Sequence, residues 1–254
     1  GLIFEQAIAR EALRLSFIQH KEFAVELKGI QKERTISDAF DQSISGESLV
    51  NMNKLDMIVG SGGVLSHAPR RNQAARMLID AFLPEGITEI AVDSIFMMPQ
   101  LGVLSEVHEK AAVEVFNKDC LVRLGTCIAP IGGKNINDDI LEYSFEFKDK
   151  KILGILKFGE IILVDVDYIP VKTKLIMKNN YTINGLNEFE GNIFGGKVGI
   201  MLDGRGRPFD FNSYSKDFIR NWSIQTNEYP LEQQSKNLKI KYKVKEVEIE
   251  VPIK

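Results

Sequence analysis

The chain has 254 residues, a formal net charge of −3 and a pI of about 5.8, with 44% hydrophobic and 26% charged residues. These values are typical of a globular protein, and the acidic balance disfavours general nucleic-acid binding. No apolar run approaches the roughly 20 residues of a membrane span, and the first residues lack the basic start and apolar stretch of a signal peptide, so we expect a cytoplasmic protein that binds neither nucleic acid nor membrane.

The chain begins with a helical pattern. Apolar residues at helical spacing predict an amphipathic helix over residues 3–27, ending near Gly29. Its predicted core stripe consists of Phe4, Ala7, Ile8, Ala12, Leu15 and Ile18. A polar connection follows over residues 32–54, with a short helix around residues 36–40.

Residues 57–82 contain the most informative stretch of the first half. An apolar run at 57–59 stops at Gly60, Ser61, Gly62 and Gly63, and a helix is predicted over residues 71–82. Glycines let backbone N–H groups approach a ligand, and a helix start adds a partial positive charge. The pattern therefore favours a phosphate or nucleotide, although it matches neither common glycine-rich fingerprint. An ordinary strand-to-helix turn is the alternative.

A second strand and helix follow. Residues 87–92 predict a strand that leads to Asp93, and residues 100–116 predict a helix. The predicted apolar face of this helix consists of Leu101, Leu104, Val107, Ala111 and Val115. The order strand, helix, strand, helix indicates an α/β unit that binds ligands at the carboxyl ends of its strands.

The pattern changes near residue 118. Short alternating runs with turn residues between them predict strands at 141–147, 152–158, 161–166, 173–177, 197–202, 238–244 and 247–251. This half predicts an antiparallel β barrel or sandwich. We therefore expect an α+β protein with an α/β part over residues 1–118 and a mainly β domain over residues 119–254.

Two stretches of the first half resemble a known nucleotide site. They resemble the adenosine motif of the actin, heat-shock chaperone and sugar-kinase (ASKHA) ATPase superfamily. The first stretch is residues 58–66, and the second is Val92-Asp93 followed by residues 101–104. Within it, the chain resembles the glutamate mutase L family, abbreviated MutL or GlmL, which is distinct from the mismatch-repair protein MutL. That likeness rests on three blocks in the family's order: residues 59–70, 124–132 and 199–208.

The resemblance implies a fold and a function. The first part would be half of an actin-like, ribonuclease H-like ATPase lobe. The protein would be a chaperone-like accessory (reactivating) ATPase for an adenosylcobalamin-dependent mutase, such as an aminomutase. ATP or ADP with Mg²⁺ would be its cofactor, adenosylcobalamin would belong to the mutase partner, and ATP hydrolysis would drive release of damaged cobalamin.

The chain departs from the superfamily pattern at one point. Two phosphate loops that the superfamily needs, each an apolar strand followed by Asp-x-Gly, do not occur before Leu55. We therefore expect the C-terminal part of a longer protein, whose missing N-terminal part is a further partner. Without those loops nothing stabilises the phosphoryl-transfer transition state, so we assign no catalytic residue and expect no useful ATP hydrolysis by the chain alone.

The candidate nucleotide-binding residues surround the glycine turn. Gly60, Gly62 and Gly63 would let the backbone pass beneath adenine and ribose, or would only form a turn. Ser61 and Ser66 would bind ribose hydroxyls, or would cap the helix.

Three further side chains complete this set and each has a structural alternative. Arg70 or Arg71 would stack on adenine, or would be an exposed arginine of the first helical turn. Asp93 would accept a hydrogen bond from the nucleoside, or would cap the following turn.

Several other residues are predicted to be structural. Cys120 and Cys127 are expected to be buried thiols rather than a disulfide, and the three histidines form no ligand pattern, so no metal site is assigned. Asp203 is predicted to pair with Arg205 or Arg207 in a turn.

Two other functions remain open. A non-enzymatic module could dock a cobalamin-dependent mutase through the β half. A small-molecule kinase would need a catalytic aspartate, which we cannot place.

Overall fold

A computed structural model describes residues 1–24, 50–133, 138–210 and 214–229, together with the backbone of residues 241–244 and 247–250. The predicted end of the first helix near Gly29 and the predicted short helix at 36–40 lie outside these residues.

Five α-helices form in the described residues. They are α1 Leu2–Phe23, α2 Gly63–Ser66, α3 Arg71–Phe82, α4 Met98–Val115 and α5 Lys216–Gln225. The helix predicted at residues 71–82 is confirmed at both ends. A single 3₁₀ turn, Met52–Lys54, precedes the first strand, and a π-helical turn, Phe116–Cys120, follows α4.

Eleven β-strands form in the same residues. They are β1 Met57–Gly60, β2 Gly86–Asp93, β3 Leu121–Ala129, β4 Asp139–Phe147, β5 Lys150–Lys157, β6 Ile161–Val164, β7 Pro170–Met177, β8 Glu188–Phe194, β9 Gly199–Asp203, β10 Lys241–Val244 and β11 Val247–Glu250. Each strand predicted above overlaps one of these.

The strands form two larger sheets and a hairpin. The five-stranded sheet has the order β1-β2-β3-β9-β6, in which β1 and β2 are parallel, as are β3 and β9. The four-stranded sheet has the order β5-β4-β7-β8 and is antiparallel throughout. The strands β10 and β11 pair with each other. The α+β class is confirmed, and the described strands close no barrel.

The five-stranded sheet is covered on both faces, as the alternation of its side chains requires. Cys127 and Met201 belong to a core shared with α3, whereas their neighbours Ile128 and Leu202 belong to a core shared with the four-stranded sheet. The layers are therefore helix, sheet and sheet. The strands β3, β6 and β9 lie after residue 118 and join β1 and β2, which lie before it. The sheet therefore crosses the predicted domain boundary at residue 118, and the division into two domains stays a prediction.

The face that α1 buries differs from the predicted one. The exposed side chains of α1 include Phe4, Ile8 and Leu15, so their predicted core role is wrong. Ala9 and Leu13 pack against the core that contains α3, and the buried Gln6 donates from Nε2 to Oε1 of Gln73 at 3.1 Å. Apolar residues occupy two stripes of this helix, so periodicity alone could not select the buried one.

The elements that the sequence patterns missed include β3, β8 and α5. In β8, Gly191 and Asn192 interrupt the β-forming residues, and pairing with β7 overrides this weak propensity. In α5, the buried Trp222 donates from Nε1 to the carbonyl oxygen of Gly159 at 2.7 Å. One long-range anchor thus fixes a helix whose own pattern is weak.

A buried ion-pair network joins the five-stranded sheet to α3. Asp203 accepts hydrogen bonds from Arg205 at 2.7 and 2.8 Å and from Arg207 at 2.8 Å, which confirms the predicted pairing. Arg205 also donates from Nη1 to Oδ1 of Asp80 on α3 at 2.6 Å. Burial alone would raise the pKa of Asp203, but the charges of Arg205 and Arg207 hold that pKa far below its usual range.

The network extends to α1 and to the end of α5. Asp80 pairs with Arg76 at 2.8 Å and with Arg10 on α1 at 3.1 Å, and both arginines lie 3.7 Å from the buried Glu228. Burial would raise the pKa of Asp80, but the neighbouring arginine charges outweigh it and lower that pKa well below its usual range. These ion pairs hold α1 and α3 on the sheet.

We predict that Asp80→Asn lowers the free energy of unfolding by about 3–5 kcal/mol near neutral pH, because buried arginines lose their counter-charge. The lowered pKa means that the ion pairs stabilise the fold above the unfolded carboxylate pKa of about 3.9 and that this stabilisation is lost as the pH falls through the folded pKa. Urea unfolding at a series of pH values measures the free energy of unfolding of the parent chain and of Asp80→Asn. The difference between these two free energies should become smaller as the pH is lowered.

Asp149→Asn is the control for this prediction. Asp149 is an exposed aspartate in the turn between β4 and β5, and its substitution should change the free energy of unfolding by no more than about 0.5 kcal/mol. If Asp80→Asn behaves like this control, or if its effect is independent of pH, the network does not hold α3 on the sheet.

Candidate functional site

The glycine turn lies where two parallel strands end. Gly60 at the end of β1 pairs with Val92 near the end of β2, so residues 61–66 and Asp93 meet at one edge of the sheet. The carboxyl ends of parallel strands are the usual ligand sites of α/β sheets. The predicted neighbourhood of the turn and Asp93 is therefore formed.

Gly60 is required by packing. A Cβ atom at this position would lie 2.8 Å from side-chain atoms of both Leu65 and Leu78. Leu65 lies on α2 and Leu78 on α3, and both are buried. Gly60 therefore lets both helices pack directly against the end of β1, and its backbone is covered rather than open to a ligand.

Gly62 and Gly63 behave differently. Gly62 has φ of 100°, a left-handed conformation that favours glycine. A Cβ atom added at Gly62 or Gly63 would meet nothing within 4 Å, and Gly63 is exposed. The turn is thus open above these two residues, and the first N–H groups of α2 have no acceptor within that helix.

The side chains of Ser61, Ser66 and Asp93 come together beside this opening. Ser66 donates from Oγ to the carbonyl oxygen of Asp93 at 2.6 Å, so it joins two loops rather than capping a helix start. The hydroxyl of Ser61 lies 3.5 Å from Oδ2 of Asp93, a long contact that leaves this hydroxyl free to find a better partner.

Asp93 is buried and its carboxylate acts as a cap. Its oxygens accept from the backbone N–H groups of Ile95 at 3.3 Å and Met98 at 3.0 Å, where α4 begins. The capping alternative therefore describes the observed contacts of Asp93, and a role in binding nucleoside stays a prediction.

The two arginines after the turn are engaged elsewhere. Arg70 donates from Nη1 to Asn227, at 3.1 Å to Oδ1 and 3.3 Å to the carbonyl oxygen. Arg71 donates from Nη1 to the carbonyl oxygen of Ser66 at 2.8 Å. Arg70 thus joins the turn to the residues after α5, and stacking on adenine would require it to leave Asn227.

The cysteines match their predicted state. Both are buried free thiols, and burial raises the pKa of Cys127 to about 12, so this thiol stays protonated. In the described part of the chain, no group of three or more His, Cys, Asp or Glu side chains could hold a metal ion.

Most of the predicted apolar face of α4 is exposed. The helix α4 buries only Leu101 and Ala112, and His108, with φ of −149° and ψ of 73°, interrupts its helical geometry. Val103, Leu104, Val107, Val113 and Val115 are exposed, so the described chain leaves Leu104, Val107 and Val115 of the predicted apolar face largely uncovered. Val107 is 87% exposed, which is unusual for a helix of this length.

Part of the chain matches a known protein family. The family model described as MutL protein matches residues 1–120, which include α1, the glycine turn and α4. The resemblance given above is confirmed over these residues, and its blocks at 124–132 and 199–208 lie outside the match. The chain matches no curated protein and no solved structure.

None of the helices in the described residues combines the length and the apolar content that crossing a bilayer requires.

We predict effects of different size for alanine at two glycines of the turn. Gly60→Ala should lower the free energy of unfolding by about 1–3 kcal/mol, because the added methyl group would overlap Leu65 and Leu78. Gly63→Ala should change it by less than about 1 kcal/mol, since its methyl group meets only open space. Chemical denaturation of both variants measures the contrast, and equal effects at the two positions would contradict this geometry.

Proposed function

We propose that the chain is the nucleotide-binding part of an accessory protein for an adenosylcobalamin-dependent mutase. The proposal rests on the match of residues 1–120 to the MutL protein family. Membership of this family indicates an involvement with the glutamate mutase system. The open turn at Gly62 and Gly63 is the observation that carries the nucleotide-binding proposal. In the whole, cytoplasmic protein, ATP binding and hydrolysis would release damaged cobalamin from the mutase.

The turn fits the nucleoside part of ATP or ADP. Two adjacent positions without side chains leave the flat surface that a purine or ribose ring needs, and the hydroxyl of Ser61 stands beside it within the reach of a ribose hydroxyl. The free N–H groups at the start of α2 add donors. Because α2 has only four residues, we attribute the fit to local donors rather than to a helix dipole.

The phosphates and Mg²⁺ need groups that the turn does not supply. The superfamily holds them with two Asp-x-Gly loops that do not occur before Leu55. We therefore propose that another part of a longer protein holds the phosphates and that this chain binds nucleotide weakly without hydrolysing it. Adenosylcobalamin would stay with the mutase.

Gly63→Phe tests the proposed nucleotide site. The new ring should cover the turn without disturbing the fold, because nothing lies within 4 Å of its Cβ. Binding of a fluorescent ADP analogue, followed by anisotropy, should weaken at least about tenfold, or about 1.4 kcal/mol, while the melting temperature stays unchanged.

Gly102→Phe is the matched control. Gly102 lies on the exposed side of α4, and a Cβ atom added there also meets nothing within 4 Å. This variant should bind the analogue like the parent chain. The nucleotide proposal is wrong if the parent chain shows no saturable binding, or if Gly63→Phe binds as well as Gly102→Phe.

A non-enzymatic docking function is the second candidate, and the exposed side chains of α4 favour it. The side chains of Val103 and Val107 are 73% and 87% exposed. A partner that covers these apolar side chains gains binding free energy from removing them from water. Replacing both by serine should weaken binding to an adenosylcobalamin-dependent glutamate mutase at least about tenfold, since each valine contributes about 1–2 kcal/mol when buried.

Leu153→Ser is the control for this interaction, because Leu153 is 66% exposed on β5, in the other sheet. Surface plasmon resonance with immobilised mutase would compare the variants. Undiminished binding by the double variant would remove α4 from the interface.

A further inference from the structure

A pocket of about 390 Å³ lies between the start of β3, residues 167–168 before β7 and the loop before β9. Its volume falls within the range of roughly 300–1,000 Å³ that is usual for small-molecule sites. Val122 in its lining pairs with Val92, which pairs on its other side with Gly60. The pocket therefore opens at the same end of the five-stranded sheet as the glycine turn, but two strands away from it.

Backbone contacts fix the walls of this pocket. The N–H of Gly196 donates to the carbonyl oxygen of Val166 at 2.9 Å, and the N–H of Lys197 donates to that of Arg123 at 3.0 Å. A side chain at Gly196 would overlap the backbone of Leu124, so the loop before β9 lies directly against β3. The loops on either side of the pocket are thus held at fixed positions.

The aromatic wall and one charge of the pocket are already engaged. Arg123 pairs with Glu89 at 2.6 Å and lies 4.9 Å from the ring centroid of Tyr168. Tyr168 stacks on Phe194 with 5.1 Å between ring centroids. Glu89 therefore balances the charge of Arg123, and Tyr168 is held between two neighbours.

Two opposite charges in the lining remain unmatched. Lys197 and Asp167 are both exposed, both line the pocket, and neither forms an ion pair with any part of the chain that the structure describes. Leu121 and Val122, both half-buried, add an aliphatic surface to the same pocket. A complementary ligand therefore carries one negative charge, one positive charge and an apolar group.

We propose that this pocket binds a free α-amino acid with an aliphatic side chain. The ammonium of Lys197 binds the α-carboxylate, the carboxylate of Asp167 binds the α-ammonium, and Leu121 and Val122 contact the side chain. A phosphate or simple carboxylate would meet Asp167 as a like charge, and a simple amine would meet Lys197 in the same way. The proposal does not depend on nucleotide binding at the glycine turn.

Isothermal titration calorimetry with L-leucine tests this assignment. Leucine should bind saturably, whereas 4-methylpentanoate, which lacks the ammonium, and isopentylamine, which lacks the carboxylate, should each bind at least about tenfold more weakly. Lys197→Gln and Asp167→Asn should each weaken leucine binding by a similar factor, since a charge-assisted hydrogen bond contributes about 1.5–3 kcal/mol.

Lys150→Gln and Asp149→Asn are matched controls, since they remove the same two charges from the exposed start of β5 and the turn before it. Both should bind leucine like the parent chain, and Gly63→Phe should do so as well, which separates this site from the nucleotide site. The proposal is overturned if leucine does not bind saturably, if either analogue binds equally well, or if the pocket variants bind like the controls.

Discussion

The ion pairs of Arg205 connect the sheet to the helices that cover it. One guanidinium joins Asp203 at the end of β9 to Asp80 on α3, and Asp80 in turn pairs with Arg10 on α1. The position of α3 matters for the site, because Leu78 on that helix packs against Gly60 at the start of the glycine turn. The turn thus depends on a charge network at the other end of the sheet.

This network exists because each buried charge has a partner within hydrogen-bonding distance. A buried ion pair need not add net stability over an apolar pair, but removing one member leaves the other uncompensated. The arrangement therefore specifies where α3 lies on the sheet. It also explains why residues 203–207 are buried and unavailable to a ligand.

Local patterns predicted the elements of the first half well, and long-range contacts decided the rest. The strand, glycine turn and α3 follow from short-range signals, since glycine and apolar spacing act within a few residues. The buried face of α1 did not follow, because α1 carries two apolar stripes, and the apolar face of α4 is mostly exposed in the described chain. The Arg70–Asn227 contact joins residues far apart in sequence, so no local pattern could separate it from ligand binding. The capping contacts of Asp93 are local and agree with the capping alternative of the sequence analysis.

The central claim is that the backbone at Gly62 and Gly63 binds the nucleoside of ATP or ADP. A two-dimensional ¹H–¹⁵N NMR titration of the chain with ADP tests it most directly. The account predicts saturable shifts that are largest at the amides of Ser61, Gly62 and Gly63, with the amide of Gly102 unchanged. If the turn amides do not shift, or if the largest shifts lie elsewhere, the claim is contradicted.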